Sequence, residues 1–294
     1  MDILQTFVIL ILTECYCSAN DNRYIYPFSK ESDVDLQLTG KVALVVASSK
    51  GLGKAIAGQL AAEGCDVMLT SRSVEQLEIA REELAAGAKG RVACFPCDIT
   101  KAEEISALVA ATRERLGSIN ILINNAGGPQ GGGFDQVDDA AWQAAFELNL
   151  LSYVRLIREV LPGLKEKGGR IINVTSASIK QPIPGLILSN VFRMGIVGMA
   201  KTLADELAPY NVLVNTVAPG RIATDRTAYL DQFNAEKRGV SKEQVVSEAL
   251  QKIPLKRYGD TEEFAKVVCF LASGASSYMT GSTVTVDGGM IRGY

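Results

Sequence analysis

Residues 41–64 read KVALVVASSKGLGKAIAGQLAAEG. The opening KVALVVAS is a continuous apolar run of strand length. Without polar alternation, such a strand is buried on both faces. GKAIAGQLAAEG then changes period: Ile56 and Leu60 are four apart on one helical face, and Gly64 stands where a helix C-cap is expected. Between them, Gly51 and Gly53 let the backbone turn tightly. They also let an anion approach the N–H groups at the start of a helix.

The same rhythm repeats along the chain. CDVMLTS (65–71), RVACFPC (91–97), NILINNAG (120–127), RIINVTS (170–176), NVLVNTVAPG (211–220) and GSTVTVDGG (281–289) read as six further strands. SVEQLEIAREELAAG (73–87) is a charged amphipathic helix. TKAEEISALVAATRERLG (100–117) opens on the capping-box pattern of Thr100 and Glu103 and carries Ile105, Leu108 and Val109 on one face. Buried strands alternating with helices predict an α/β fold: a single Rossmann-type doubly wound parallel sheet of about seven strands, helices on both faces. One domain is expected over residues 36–294.

Residues 1–35 do not join this pattern. ILQTFVILILT (3–13) is apolar but too short to span a bilayer comfortably, and Asp2 is the only charge before it, so a basic signal-peptide leader is missing. SANDNRYIYPFSKESD (18–33) is polar and turn-rich. The expectation is a disordered extension or a start assigned too far upstream, with a cleaved signal or a weak membrane anchor as alternatives. No stable membrane insertion is expected.

Among the 294 residues, 47% are hydrophobic and 21% charged, with a net charge of −3, as in ordinary soluble proteins. This mild acidity gives no reason to expect nucleic acid or an anionic membrane as partner. Histidine is absent, which excludes Ser-His and Cys-His triads and imidazole metal ligands; no metal site is expected. CFPC at 94–97 matches C-x-x-C, but it ends an apolar strand-like run rather than opening a helix. The thiols are read as buried small residues rather than redox groups, in a reducing, cytoplasmic compartment.

The motifs in order resemble the short-chain dehydrogenase/reductase family, and within it the 3-oxoacyl-carrier-protein reductases, from about Leu38 to the C-terminus. The resemblance implies a nicotinamide dinucleotide held by Ala47, Ser49, Lys50, Gly51, Leu52 and Gly53. Val46 and Ala47 stand where the family has Thr-Gly. It further implies adenine contacts from Asp98 and Ile99 in CDIT, and a cofactor cleft lined by Asn125, Ala126 and Gly127 in NNAG. Pro219, Gly220, Ile222 and Thr224 in APGRIAT would hold the nicotinamide carboxamide. The second strand ends TSRS, with Ser71 and Arg72 and no carboxylate. Together with Lys50, that favours NADP(H) over NAD(H), because cations suit a ribose 2′-phosphate.

The family's catalytic set is Asn, Ser, Tyr and Lys. Asn149 in FELNLL matches the asparagine and Ser176 in NVTSAS the serine. Counting on without gaps puts Ser189 at the tyrosine position and Arg193 at the lysine position, and Gly195 then meets the family's helix glycine. Arg193 keeps a cation that can bond ribose hydroxyls but cannot relay a proton. Ser189 is a much poorer acid than a phenol, which titrates near ~10 before any perturbation.

Three readings stay open. Lys180, four residues after Ser176, would donate the proton if desolvated, with Tyr229 a weaker candidate. Alternatively, Ser176, Ser189 and water support slow turnover, or the chain binds NADP(H) without turnover as a sensor or partner subunit. The expected reaction is reversible carbonyl reduction or alcohol oxidation on a small molecule. A substrate loop is expected at 225–259, where Arg221, Arg226, Lys237 and Arg238 would attract an anionic substrate or form a solvated helical face. The resemblance also implies a homotetramer or homodimer.

Overall fold

The computed structural model describes residues 34–293. Seven strands lie in one parallel sheet: β1 (Val42–Val46), β2 (Asp66–Ser71), β3 (Val92–Pro96), β4 (Ile119–Asn124), β5 (Gly169–Val174), β6 (Val212–Pro219) and β7 (Thr283–Val286). Their order is β3-β2-β1-β4-β5-β6-β7. The chain leaves β1 toward β2 and β3, then returns to place β4 on the other side of β1. This switch point opens a crevice beyond the C-terminal strand ends, where such folds bind ligands.

All five residues of β1 are buried, and their side chains divide between two cores. Val42, Leu44 and Val46 face α3 (Ala102–Arg115), α5 (Ser152–Lys167) and α6 (Ile187–Leu207), meeting Leu108, Leu156 and Ile196. Ala43 and Val45 face α1 (Gly51–Ala62), α2 (Val74–Ala85) and α9 (Thr261–Ala272), meeting Ile56, Leu60 and Phe264. The two cores explain why the strands lack polar alternation. The remaining helices are α4 (Asp139–Phe146), α7 (Asp225–Arg238) and α8 (Lys242–Lys252). No helix among the described residues is long and apolar enough to cross a membrane.

Gly64 follows the α1 cap residue Glu63 with φ of +92°, a conformation suited to glycine. The capping box expected at Thr100 is not formed. The helix starts later, at Ala102 after Lys101, because Asp98 captures Thr100: the Asp98 carboxylate accepts from the Thr100 N–H at 3.0 Å and from its hydroxyl at 2.8 Å. Glu104 rather than Glu103 reaches back, accepting from the Asp98 N–H at 2.7 Å. The predicted loop at 225–259 contains α7 and α8, capped by the Thr224 and Ser241 side chains. The expectations for residues 1–35 lie outside the described residues except at Val34 and Asp35.

Candidate active site

The site begins where β1 ends. Ala47 has φ of +50°, the left-handed region that costs a side-chain-bearing residue energy. The turn puts the Ala47 carbonyl against Gly53, where a Cβ would lie 2.2 Å from that oxygen, and the Asn125 side-chain amide donates to the same carbonyl at 3.3 Å. Ser48, which sequence reasoning passed over, is fully buried. Its hydroxyl donates to Val45 O at 2.8 Å and accepts from the Thr70 N–H at 2.9 Å, tying the turn to β2.

Ser49 is half-buried and Lys50 is the extended N-cap of α1, without a side-chain hydrogen bond to the helix end. No acidic residue occupies the first turn, so the Gly51–Leu52–Gly53 end presents open N–H groups and a positive dipole. Gly51 itself has φ of +57°. Beside this turn, the buried Ser71 hydroxyl has no hydrogen-bond partner among the described residues, and Arg72 is exposed. Burial works to raise the Asp98 pKa. The two Thr100 hydrogen bonds, aided by the charges of Arg72 and Lys101, outweigh it and hold the carboxyl below its ordinary value. Ile99 is buried beside it.

The other side of the crevice is built from β4, β5 and α6. Asn149 is buried in a π-helical segment, Glu147–Leu151, between α4 and α5. Such segments recur at functional sites. Its amide nitrogen donates to Gly127 O at 2.8 Å, and its carbonyl oxygen is buried without a partner among the described residues. Ser176 caps the short turn Ala177–Ile179, accepting from the Ser178 N–H at 3.2 Å, which leaves its hydroxyl proton to donate elsewhere. Ser189 and Arg193 lie one turn apart on α6, both buried. Helix α6 packs on the Ser176 turn, so these positions converge on one end of the sheet.

Arg193 is 4% exposed, and its donors serve three neutral acceptors: the Tyr153 hydroxyl at 2.9 Å, Val174 O at 3.0 Å and Ala126 O at 3.1 Å. It thereby clamps the ends of β4 and β5. Tyr153 escaped the sequence reading, although it follows Asn149 by one helical turn. Burial pushes its phenol up, opposed by the adjacent Arg193 charge, and its hydroxyl already donates to Val174 O at 2.9 Å. It is therefore no substitute for an exposed phenolic acid.

Lys180 is exposed at the end of the Ala177–Ile179 turn. The desolvation expected to tune it is not supplied by the protein alone. Tyr229 is 57% exposed and packs between Arg226 and Phe233, its ring stacked on Phe233 with centroids 6.4 Å apart.

Pro219 and Gly220 follow from β6. A Cβ at Gly220 would lie 2.6 Å from Asp287 Cα, so this turn is closed against the end of β7. Ile222 is buried and bridges to Gly259, and Thr224 lies over Gly51. The two ends of the 222–259 stretch are thus joined just beyond β6.

Of the four cations along 221–238, three are engaged with partners within the chain. Arg221 pairs with the buried Asp231, which also accepts from the Tyr258 hydroxyl at 3.0 Å. Arg238 pairs with Glu248 at 2.8 Å. Lys237 is exposed. Arg226 is half-buried and donates to Pro129 O at 2.8 Å.

The four described cysteines are free. Burial pushes Cys97 up to about 12, with Glu104 and Asp98 adding to it. Burial and the hydrogen bond to Glu78 push Cys94 up to about 11, the reverse of a redox thiol.

A family model described as enoyl-(acyl carrier protein) reductase matches residues 46–291. The 3-oxoacyl-[acyl-carrier-protein] reductase FabG of Vibrio cholerae is 38% identical over 256 residues, covering 87% of this chain and 99% of its own. Dehydrogenase/reductase SDR family member 4 of Pongo abelii is 36% identical over 256 residues, covering 86% and 88%. The crystal structure of L-sorbose reductase from Gluconobacter frateurii, complexed with NADPH and L-sorbose, superposes with a TM-score of 0.83 at 32% identity, covering 88% of this chain and all of that one. With its sheet order, its glycine turn and these relatives, the chain belongs to the short-chain dehydrogenase/reductase family of oxidoreductases.

Proposed function

We propose that this protein is an NADP(H)-dependent oxidoreductase that interconverts a small-molecule carbonyl and alcohol without a tyrosine acid. One observation carries the reading: a buried cation, Arg193, and a buried asparagine with an unused acceptor, Asn149, meet at the sheet end that the uncapped α1 also faces.

The residues present fit a dinucleotide. Nothing lies within 4 Å of a Cβ built at Gly127, so that wall is open, while the α1 N–H groups suit a diphosphate. Arg72 and the unpartnered Ser71 hydroxyl suit a 2′-phosphate, and the NADPH named in the sorbose reductase complex agrees with that choice. Asp98 and Ile99 would flank the adenine. Arg193 would hold ribose hydroxyls through its remaining N–H donors. Pro219, Gly220, Ile222 and Thr224 would face the carboxamide. When bound, the nicotinamide supplies or accepts the hydride.

The chain's own residues divide the rest. The Ser176 hydroxyl polarises the carbonyl oxygen, and Asn149 holds a water with its free acceptor. Ser189, Lys180 or that water moves the proton at the substrate oxygen. Losing a tuned acid typically costs about 10²–10⁴-fold, so slow turnover is expected.

A second reading, NADP(H) binding without turnover, is favoured by the enclosure of Tyr153 and the exposure of Lys180. The test is NADPH oxidation by the full chain across ketones, aldehydes, quinones and β-ketoacyl thioesters, with NADPH affinity titrated in parallel. Turnover upholds the first reading, tight binding without turnover upholds the second, and no binding overturns both.

A homodimer or homotetramer is proposed on family grounds, supported by Val191 and Met194, which are 45% and 47% exposed on the outer face of α6. Light scattering on the purified chain tests it. Cytoplasmic residence is proposed from the same relatives.

A further inference from the structure

Arg226 is a cation in an unusual setting. It lies in the first turn of α7, where the helix dipole disfavours positive charge. It is half-buried, and its guanidinium lies flat on Gly128: a Cβ there would be 2.9 Å from Nη2, 3.0 Å from Nε and 3.1 Å from Cζ. The Tyr229 ring centroid lies 5.4 Å from Cζ.

Neighbouring cations have carboxylate partners: Lys50 has Asp225, and Arg221 has Asp231. Arg226 has only the neutral Pro129 carbonyl among the described residues. Arg193, whose charge Arg226 feels, likewise meets neutral acceptors only among the described residues. Burial depresses the Arg226 pKa, Tyr229 opposes this, and the Arg193 charge adds to the depression, so the two guanidiniums share one electrostatic space. A buried and a half-buried cation without a counter-charge are costly unless an anion joins them.

The geometry points to Arg226 as the receptor for an anionic oxygen group at the crevice mouth, either a substrate carboxylate or a dinucleotide phosphate. This rests on the dehydrogenase reading and narrows it. The first source makes the substrate an anionic carbonyl or hydroxy acid. The second makes Arg226 a cofactor clamp, since Thr224, two residues earlier, lies beside the glycine turn at Gly51.

The test is calorimetric titration of the full chain and its R226Q and R226K variants. The probes are NADPH, then acetoacetate and methyl acetoacetate in the presence of NADP⁺. If the anion is a carboxylate, R226Q weakens acetoacetate by about tenfold or more, spares the neutral ester, and R226K recovers part of the loss. If it is a phosphate, the same pattern falls on NADPH and the acid and ester respond alike. R226Q matching the wild type with every probe overturns the inference while leaving NADPH binding, and so the dehydrogenase reading, intact. A wild-type chain that binds none of the probes overturns both.

Discussion

The Arg193 guanidinium and the Tyr153 hydroxyl, 2.9 Å apart, form a closed pair beneath the end of β5, each also bonded to Val174 O. The arrangement gives a buried arginine three neutral acceptors. A planar guanidinium needs several acceptors at fixed angles, and Tyr153 supplies one of them. Tyr153→Phe leaves the ring packed and removes both that acceptor and the hydroxyl's own bond to Val174 O. The expected result is a loss of about 1–3 kcal/mol in urea unfolding with an unchanged slope. A loss within error would show that the pair carries no net stability.

Ala47 holds a left-handed conformation that costs an L-residue roughly 1–2 kcal/mol. Glycine avoids that strain but has about 0.5–1 kcal/mol more chain entropy to lose. Ala47→Gly is therefore expected to stabilise the protein by about 0.5–1 kcal/mol. Gly53→Ala should do the opposite and far more strongly, because its methyl group would meet the Ala47 carbonyl. Paired denaturant curves check both signs.

Asp231 is 1% exposed and accepts from Arg221 and Tyr258, anchoring α7 over the crevice. Asp231→Asn keeps the shape and removes the charge. Breaking a fully buried pair costs about 3–5 kcal/mol, and the partial exposure of Arg221 brings the expectation to about 1–3 kcal/mol. The loss should be local. Hydrogen exchange would accelerate across 225–238 while β1 and β4 amides stay protected; uniform acceleration would count against an anchoring role.

The sheet was legible because burial on both faces writes itself into the strands as unbroken apolar runs, as in VALVV of β1. The glycine turn was legible because close backbone approach excludes side chains. What stayed hidden depends on contacts between distant parts of the chain. Arg193 and Tyr153 are 40 residues apart, and neither neighbourhood advertises the other. The capping pattern at Thr100 was locally sound, yet Asp98 offered its backbone and hydroxyl a competing acceptor. Four cations along the 221–238 stretch read alike in sequence. Only the fold shows that Asp231 and Glu248 neutralise two of them.

The pH response follows from the thiols. Burial raises Cys65, Cys97 and Cys269 to about 12, so the folded state keeps them neutral. A raised folded pKa gives stability that is complete below the unfolded value, ~8.5, and declines as pH rises toward 12. Stability should therefore fall steadily on the alkaline side. Cys97→Ala removes one contributor. Its curve should be flatter than the wild type above pH ~8.5 and parallel to it below. Parallel curves throughout would show that the Cys97 thiol ionises as readily folded as unfolded.

The proton donor gives the most direct test of the proposed site. Ser189 stands one helical turn before Arg193, so a phenol placed there would sit within the field of a buried guanidinium. A nearby cation favours phenolate and brings its pKa down toward the working range. Ser189→Tyr is expected to raise kcat for carbonyl reduction by about 10²–10⁴-fold if the missing acid limits turnover. NADPH affinity should change little, because the cation and the glycine turn are untouched. The kcat–pH profile should gain a limb that falls at high pH in the reductive direction, where the phenol must be protonated. A variant that folds and binds NADPH but turns over no faster would mean that the acid is not what limits this site.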